Sequence, residues 1–152
     1  MKKIITFILV ALFSLSLIGC DDSSKTEEVG KSYVSLGINP NIELIVDENN
    51  KVLEVYAVNE DAKVLLYEEK DLVGMDFDAA LKVITNLSIE YGYLEENNKV
   101  INFSVSSTLN EDYQASLKAT IKAAMTEEAL KEGLSIYLTA EGAFTLVREL
   151  EQ

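Results

Sequence analysis

The residue pair with the clearest potential for covalent chemistry in this 152-residue chain is Asn39–Pro40, which contains its single proline. Asparagine usually deamidates when the next backbone nitrogen attacks its side chain, but a prolyl nitrogen carries no hydrogen and is blocked from that reaction. The Asn39 side-chain nitrogen can still attack its own carbonyl carbon, which closes a succinimide, cuts the chain and frees the Pro40 amine. Correct placement can supply roughly 7–11 kcal/mol of such a barrier. The pair therefore predicts self-cleavage, with a simple strand boundary at Pro40 as the alternative.

The second chemical signal is Cys20, the only cysteine. It follows the cationic start Met1–Lys3, an uncharged apolar stretch and the residues Leu17–Gly19. This layout is typical of a secretory signal, and its end resembles the lipobox, in which a small residue precedes the cysteine that receives a diacylglyceryl group. We expect residues 1–19 to be removed and Cys20 to anchor the protein on the extracytoplasmic face of the bacterial membrane, because two acyl chains give stable anchoring. The alternative is an uncleaved anchor, for which the apolar run is short compared with the ~20 residues of a membrane span.

Composition excludes several other kinds of site. The chain has no histidine, and acylation of Cys20 leaves the folded part without a thiol. Thiolate and imidazole zinc sites, disulfides and Ser-His-Asp or Cys-His catalysis are thereby ruled out, and we expect no cofactor and no metal. Without Lys2 and Lys3 the basic count falls from 13 to 11 against 26 acidic residues, a side-chain charge of −15. So acidic a chain is not expected to bind nucleic acid.

The domain organisation also follows from composition. Residues 20–31 comprise the lipidated cysteine and an acidic, polar stretch that cannot bury enough apolar surface to order itself, so we expect a flexible tether. Residues 32–152 suit one compact domain.

Alternating apolar residues predict several strands, over residues 33–38, 41–46, 51–58, 100–105 and 134–138. Asp47–Asn50 is the turn of a hairpin between the second and third. Its acidic and amide groups invite a calcium interpretation, but the spaced Asp series of a calcium loop is missing. We expect Pro40 to hold Asn39 in extended backbone geometry.

Helical periodicity predicts a short helix over 60–67, a longer one that is capped by Asp76 or Asp78 and ended by Gly92, and a third that starts at Asn110. The third is expected to end near Gly133, with its last part, from Thr126, either a final turn or a separate helix. The expected buried face of the longer helix comprises Phe77, Ala80, Leu81, Ile84, Ser88 and Tyr91. The tail over 143–151 is ambiguous, with a weak preference for helix. The predicted fold class is α+β, a mainly antiparallel sheet with helices packed on one face.

Three segments within these elements resemble a known family, the extracytoplasmic middle domain of RsgI-type anti-sigma factors. They are Ser35–Leu44 (SLGINPNIEL), Asn49–Val52 (NNKV) and Asn59–Ala62 (NEDA). The family pattern is a strand ending in Asn-Pro, then Ile-Glu-Leu, a hairpin, and an Asn-x-Asp-Gly-like step into a helix. Gly92–Tyr93 and the strand from Val100 match its later order. The resemblance implies that the domain cleaves itself at Asn-Pro and that the halves stay associated through the sheet.

Two positions beside the Asn-Pro pair depart from the family pattern. The family usually has Asp two residues before the Asn and Ser after the Pro, whereas this chain has Gly37 and Asn41. We also expect neither a cytoplasmic sigma-binding segment nor a transmembrane helix, which would distinguish this protein from an anti-sigma factor proper.

Three functional hypotheses therefore remain. The first is a lipid-anchored relative of that domain which cleaves itself and acts in envelope signalling or as a releasable surface module. The second is a non-catalytic binding lipoprotein that presents the same fold to a protein or cell-wall partner. The third is a conventional enzyme using carboxylates such as Glu43, Glu54 and Asp61.

Overall fold

The computed structural model describes residues 30–67 and 70–142. The signal sequence, Cys20, most of the tether and the tail from residue 143 lie outside these residues. Within the two described ranges, no helix has the length and apolar character needed to cross a membrane.

In the described part of the chain, five strands form one sheet in the order β3-β2-β1-β4-β5. They are β1 (Lys31–Gly37), β2 (Asn41–Asp47), β3 (Val52–Ala57), β4 (Val100–Ser107) and β5 (Tyr137–Ala140). Neighbouring strands run antiparallel, except that β5 lies parallel to β4. The last strand begins three residues later than its expected start at Leu134. The central strand is β1, which is hydrogen-bonded to β2 on one side and to β4 on the other.

Alternation along β1 explains how the sheet forms a core. Its buried residues are Ser32, Val34 and Leu36. Val34 is paired with Leu44 of β2 and Val105 of β4 in the same register, and these apolar side chains join one core cluster with residues from the helices. Burial of this one face holds β1 in register, because a slip by one residue would turn its apolar side chains outward.

The helices match the expected periodicity with small changes in their bounds. They are α1 (Glu60–Leu65), α2 (Phe77–Glu90) and α3 (Glu111–Lys131), with one 3-10 turn at Lys70–Leu72. Thus α3 is continuous through Thr126. Asp76 is the N-cap residue of α2 without a side-chain cap hydrogen bond, and Gly92 ends that helix at a φ of 75°, which glycine adopts at little cost.

One predicted core residue of α2 is wrong. Phe77, Ala80, Leu81, Ile84 and Ser88 are buried as expected, but Tyr91 is 52% exposed. Tyr91 is the C-cap residue, where the chain leaves the helix and the spacing no longer determines which way a side chain faces. The class itself is confirmed: α+β, with a mostly antiparallel sheet and helices packed on it.

Candidate functional site

The Asn39–Pro40 bond lies in a tight turn between two adjacent strands. Gly37 of β1 is paired with Asn41 of β2, so three residues reverse the chain, and the Ile38 N–H donates to the Pro40 carbonyl at 3.0 Å. Ile38 and Pro40 are buried, whereas Asn39 is exposed at the tip. The strand boundary expected at Pro40 is therefore present, and it is a full reversal rather than an interruption of one strand.

The expectation of extended geometry at Asn39 is wrong, because its φ is 59°. A three-residue reversal needs left-handed backbone at one position, and asparagine tolerates that region better than most residues. Proline after it usually disfavours α-type geometry. Asn39 is therefore held in a sparsely populated conformation by the strands on either side, and strained residues of this kind cluster at functional sites.

The side chain of Asn59 contacts this turn from the start of α1. Its Nδ2 donates to Asn39 Oδ1 at 3.3 Å. Its Oδ1 accepts from the backbone N–H of Asn41 at 3.0 Å and from that of Ala62 at 3.0 Å. One amide therefore holds the side chain before the Asn39–Pro40 bond and the backbone just after it.

The local sequence explains why Asn59 lies at the start of α1. It is the N-cap residue of α1 with extended backbone, and Glu60 and Asp61 follow in the first turn, where acidic groups complement the helix dipole. The preceding Val58 N–H donates to the Asn41 carbonyl at 2.9 Å, which ties the end of β3 to the start of β2. The cap and the turn thus share one hydrogen-bonded unit.

Asn39 and Pro40 are identifiable as candidate site residues from the sequence, whereas Asn59 stands there only within a segment that resembles the family. The Asn-Glu-Asp series was a detectable signal for a helix cap, but nothing in it indicates a contact 20 residues earlier. That contact depends on β2 and β3 pairing in register, which brings the two ends together.

The two positions that depart from the family pattern are neighbours of the turn. A Cβ atom added at Gly37 would meet the Asn102 carbonyl oxygen at 3.4 Å and Asn41 Oδ1 at 3.8 Å. These are ordinary contacts, so the backbone at residue 37 can carry a side chain such as that of aspartate. Its carboxylate would then lie on the strand pair that leads directly into Asn39.

The carboxylates considered for conventional catalysis do not form a single group. Glu43 is buried in β2 and Glu54 is partly buried in β3; both lie on the sheet face away from the apolar core, and Glu54 accepts a hydrogen bond from Tyr56. Asp61 instead lies in α1, 3.5 Å from the hydroxyl of Tyr93. Burial, and then the Asp61 carboxylate, raise the pKa of Tyr93. Across residues 30–67 and 70–142, no three acidic or cysteine side chains are arranged to hold a metal ion.

A shallow cleft of about 350 Å³ lies on the surface beside α1. Its lining comprises Lys63, Val64, Tyr67 and Tyr91. Neither Asn39 nor Pro40 contributes to it, so the cleft is separate from the turn. Cys20, the expected lipidation site, lies outside the described residues.

Comparison with known proteins identifies relatives over most of this domain. Residues 31–145 match the family described as the anti-sigma factor RsgI-like central domain. The chain is 34% identical over 79 residues to anti-sigma-I factor RsgI5 of Acetivibrio thermocellus, covering 52% of this chain and 16% of that protein. It is 33% identical over 104 residues to RsgI6 of the same organism, covering 68% of this chain and 13% of the relative. A 30% identity over 78 residues to the anti-sigma-I factor RsgI of Bacillus anthracis covers 51% of this chain and 18% of that protein. The matched segments are thus a small fraction of each relative.

Proposed function

The chain belongs to the family of anti-sigma factor RsgI-like central domains, and from this premise we propose that it is a lipid-anchored extracytoplasmic protein that cuts itself between Asn39 and Pro40 and acts in envelope signalling. The observation that carries the proposal is the arrangement of the turn: a strained Asn39 precedes the only proline, and Asn59 holds groups on both sides of the bond between them.

The reaction needs only atoms of the chain itself. Asn39 Nδ2 attacks the Asn39 carbonyl carbon, the bond to the Pro40 nitrogen breaks, and one proton moves from Nδ2 to that nitrogen through solvent. The products are a chain ending in a succinimide and a chain beginning with a prolyl amine. Exposure of Asn39 supports this route, because water has access to exchange the proton.

The position of β1 supports continued association of the two pieces. A cut after Asn39 leaves β1 on the membrane-proximal piece, and this strand is paired with both β2 and β4. Val34 and Leu36 of β1 are fully buried, so separation exposes them as well as two rows of backbone hydrogen bonds. We propose that the pieces stay together until the domain is unfolded or pulled apart, which makes it a releasable surface module.

The anchor in this proposal is the lipid on Cys20. Residues 1–19 are the removed signal, residues 20–31 are the tether, and β1 then connects the tether to the rest of the domain. The partner is an unidentified protein or cell-wall component. Cys20→Ala is expected to abolish lipid labelling and to leave precursor accumulating, because the thioether has no sulfur on which to form. A processed, lipid-bearing Cys20→Ala protein would contradict the anchor.

The deciding experiment for cleavage is a mass measurement on the full chain expressed in bacteria and purified in detergent. We expect denatured protein to separate into a piece ending at Asn39 and a piece beginning at Pro40, and native protein to elute as one species. The variant Gly37→Asp/Asn41→Ser restores the residues usual in the family and should be cut faster than wild type. If both proteins remain intact after prolonged incubation, self-cleavage is excluded and the chain is better explained as a binding lipoprotein.

A further inference from the structure

The Asn59 side chain makes three hydrogen bonds, two of them to residues on either side of the Asn39–Pro40 bond. Its oxygen accepts from two backbone N–H groups, those of Asn41 and Ala62. These two bonds fix which end of the amide is oxygen and therefore the direction in which Nδ2 points. That direction leads to Asn39 Oδ1. The donor is thus oriented before any reaction begins.

We propose that Asn59 is the positioning residue for cleavage at Asn39–Pro40, a role that rests on the self-cleavage proposed above. When Asn39 Nδ2 gives up a proton and attacks, negative charge develops on the side-chain amide and is shared with Oδ1. A fixed N–H donor aimed at that oxygen stabilises the developing charge without reorganisation. The same donor limits rotation of the Asn39 side chain, so Nδ2 samples fewer orientations relative to the carbonyl carbon it attacks.

The rigidity of α1 supports this role. Ala62 and Leu65 anchor the helix in the core with at most 2% exposure, and the Lys63 N–H donates to the Asn59 carbonyl at 3.1 Å. The Asn59 oxygen also accepts from Asn41, which follows the cut bond by one residue. Asn59 therefore holds the residue before the cut through the Asn39 side chain and the segment after the cut through the Asn41 backbone.

The chain contains a matched control for Asn59. Asn110 caps α3 with nearly the same backbone, φ −133° and ψ 171° against φ −130° and ψ 175° at Asn59. Its Oδ1 accepts from the Tyr113 N–H at 2.8 Å. Aspartate caps helices about as well as asparagine, so Asn→Asp at either position retains the cap. Only Asn59→Asp removes a donor to Asn39.

The test compares Asn59→Asp and Asn110→Asp in the full-length chain by pulse-chase labelling and mass spectrometry of the Pro40 fragment. We expect Asn59→Asp to slow cleavage by about 10- to 100-fold, the size of effect that a small misplacement produces, and Asn110→Asp to retain the wild-type rate. Melting temperatures of the two variants should agree with each other. In an alanine pair, Asn59→Ala and Asn110→Ala, each variant loses a helix cap and Asn59→Ala also loses the bond from the Asn41 N–H. Only Asn59→Ala should lose cleavage.

Each other outcome has a distinct meaning. If wild type is cut and Asn59→Asp is cut equally fast or faster, Asn59 is only a helix cap and the positioning role is overturned while self-cleavage stands. If Asn110→Asp slows cleavage as much as Asn59→Asp, the effect is general destabilisation and the positioning role is again overturned. If wild type is not cut, self-cleavage and the role of Asn59 fall together.

Discussion

Two turns of the same sheet carry an asparagine with the same φ but allow different chemistry. Asn39 and Asn50 both have a φ of 59°, and a side chain from the start of a helix contacts each: Asn59 at Asn39, and the Tyr113 hydroxyl at Asn50 Oδ1, 2.9 Å away. The difference lies in the next residue. After Asn39 comes a proline with no N–H, whereas the N–H of Lys51 donates to Asp47 Oδ1 at 2.8 Å.

This difference shows that the conformation alone does not make a reactive asparagine. At Asn50, the nitrogen that deamidation requires is occupied by a hydrogen bond to Asp47, which disfavours its attack. At Asn39, the corresponding nitrogen has no proton to lose, and attack by the side-chain nitrogen is the route that remains. One turn is thus built for stability and the other leaves a cleavage route open.

The largest expected effect separates the two turns directly. Asn39→Gln should abolish cleavage, because the longer side chain must close a six-membered ring and does so less readily. Asn50→Gln introduces the same change at the same φ in the other turn and should leave the cut unaffected. Mass spectrometry of denatured full-length protein measures both. Continued cleavage of Asn39→Gln at the same bond would refute attack by the side chain.

The second prediction concerns a substitution that gives Asn39 the reactivity of an ordinary asparagine. Pro40→Ala restores a backbone N–H after Asn39, so we expect cleavage to fall and deamidation at Asn39 to appear. Peptide mapping locates the modification, and Asn50 in the same sample is the internal reference that should stay largely unmodified. Deamidation at Asn50 before Asn39 would show that the Lys51–Asp47 hydrogen bond gives no protection.

A smaller effect concerns the support of the second turn. The Tyr113 hydroxyl lies 2.7 Å from the Asp47 carbonyl oxygen and close to Asn50. Tyr113→Phe should lower the free energy of unfolding by about 0.5–1.5 kcal/mol, the usual net value of one hydrogen bond. Tyr67→Phe is the control, because Tyr67 is 78% exposed. Equal unfolding midpoints in denaturant for both variants would contradict a supporting role.

The same hydroxyl predicts a pH dependence. Burial raises the pKa of Tyr113 above its ordinary 10.0, the Asn50 backbone opposes this through a hydrogen bond, and the Asp47 and Glu48 carboxylates raise the pKa further. The neutral form is therefore favoured in the folded state. The contribution of the Tyr113 hydroxyl to stability is complete below about pH 10, where this hydroxyl is also neutral in the unfolded chain. It is lost as pH rises toward the pKa of Tyr113 in the folded state. Stability above pH 10 should fall less steeply in Tyr113→Phe; an unchanged slope would contradict this.

For metal chelation and reduction we expect no change in stability. Asp47 and its neighbours resemble a calcium loop in composition, but Asp47 Oδ1 accepts from the N–H groups of Asn49 and Lys51 at 2.9 and 2.8 Å. EDTA and reductants should leave the melting temperature unchanged. A fall of several degrees with EDTA would reveal a carboxylate metal site.

The sequence by itself determined the features that depend on neighbouring residues. Alternation located the strands, helical spacing located α1, and capping residues located the starts of α2 and α3, because these signals rest on periodicities and hydrogen bonds within a few residues. The reaction available at Asn39–Pro40 was also readable, since the absence of a prolyl N–H is a covalent property. Asp47–Asn50 was recognisable as a turn for the same local reason.

Only the tertiary structure decided how distant parts meet. It placed β1 between β2 and β4, made β5 parallel, turned Tyr91 outward and put Asn39 in left-handed rather than extended backbone. It also brought the Asn59 amide to Asn39. Such contacts depend on strand register and on how a helix packs against the sheet, and these are set by burial summed over the whole core, not by any one segment.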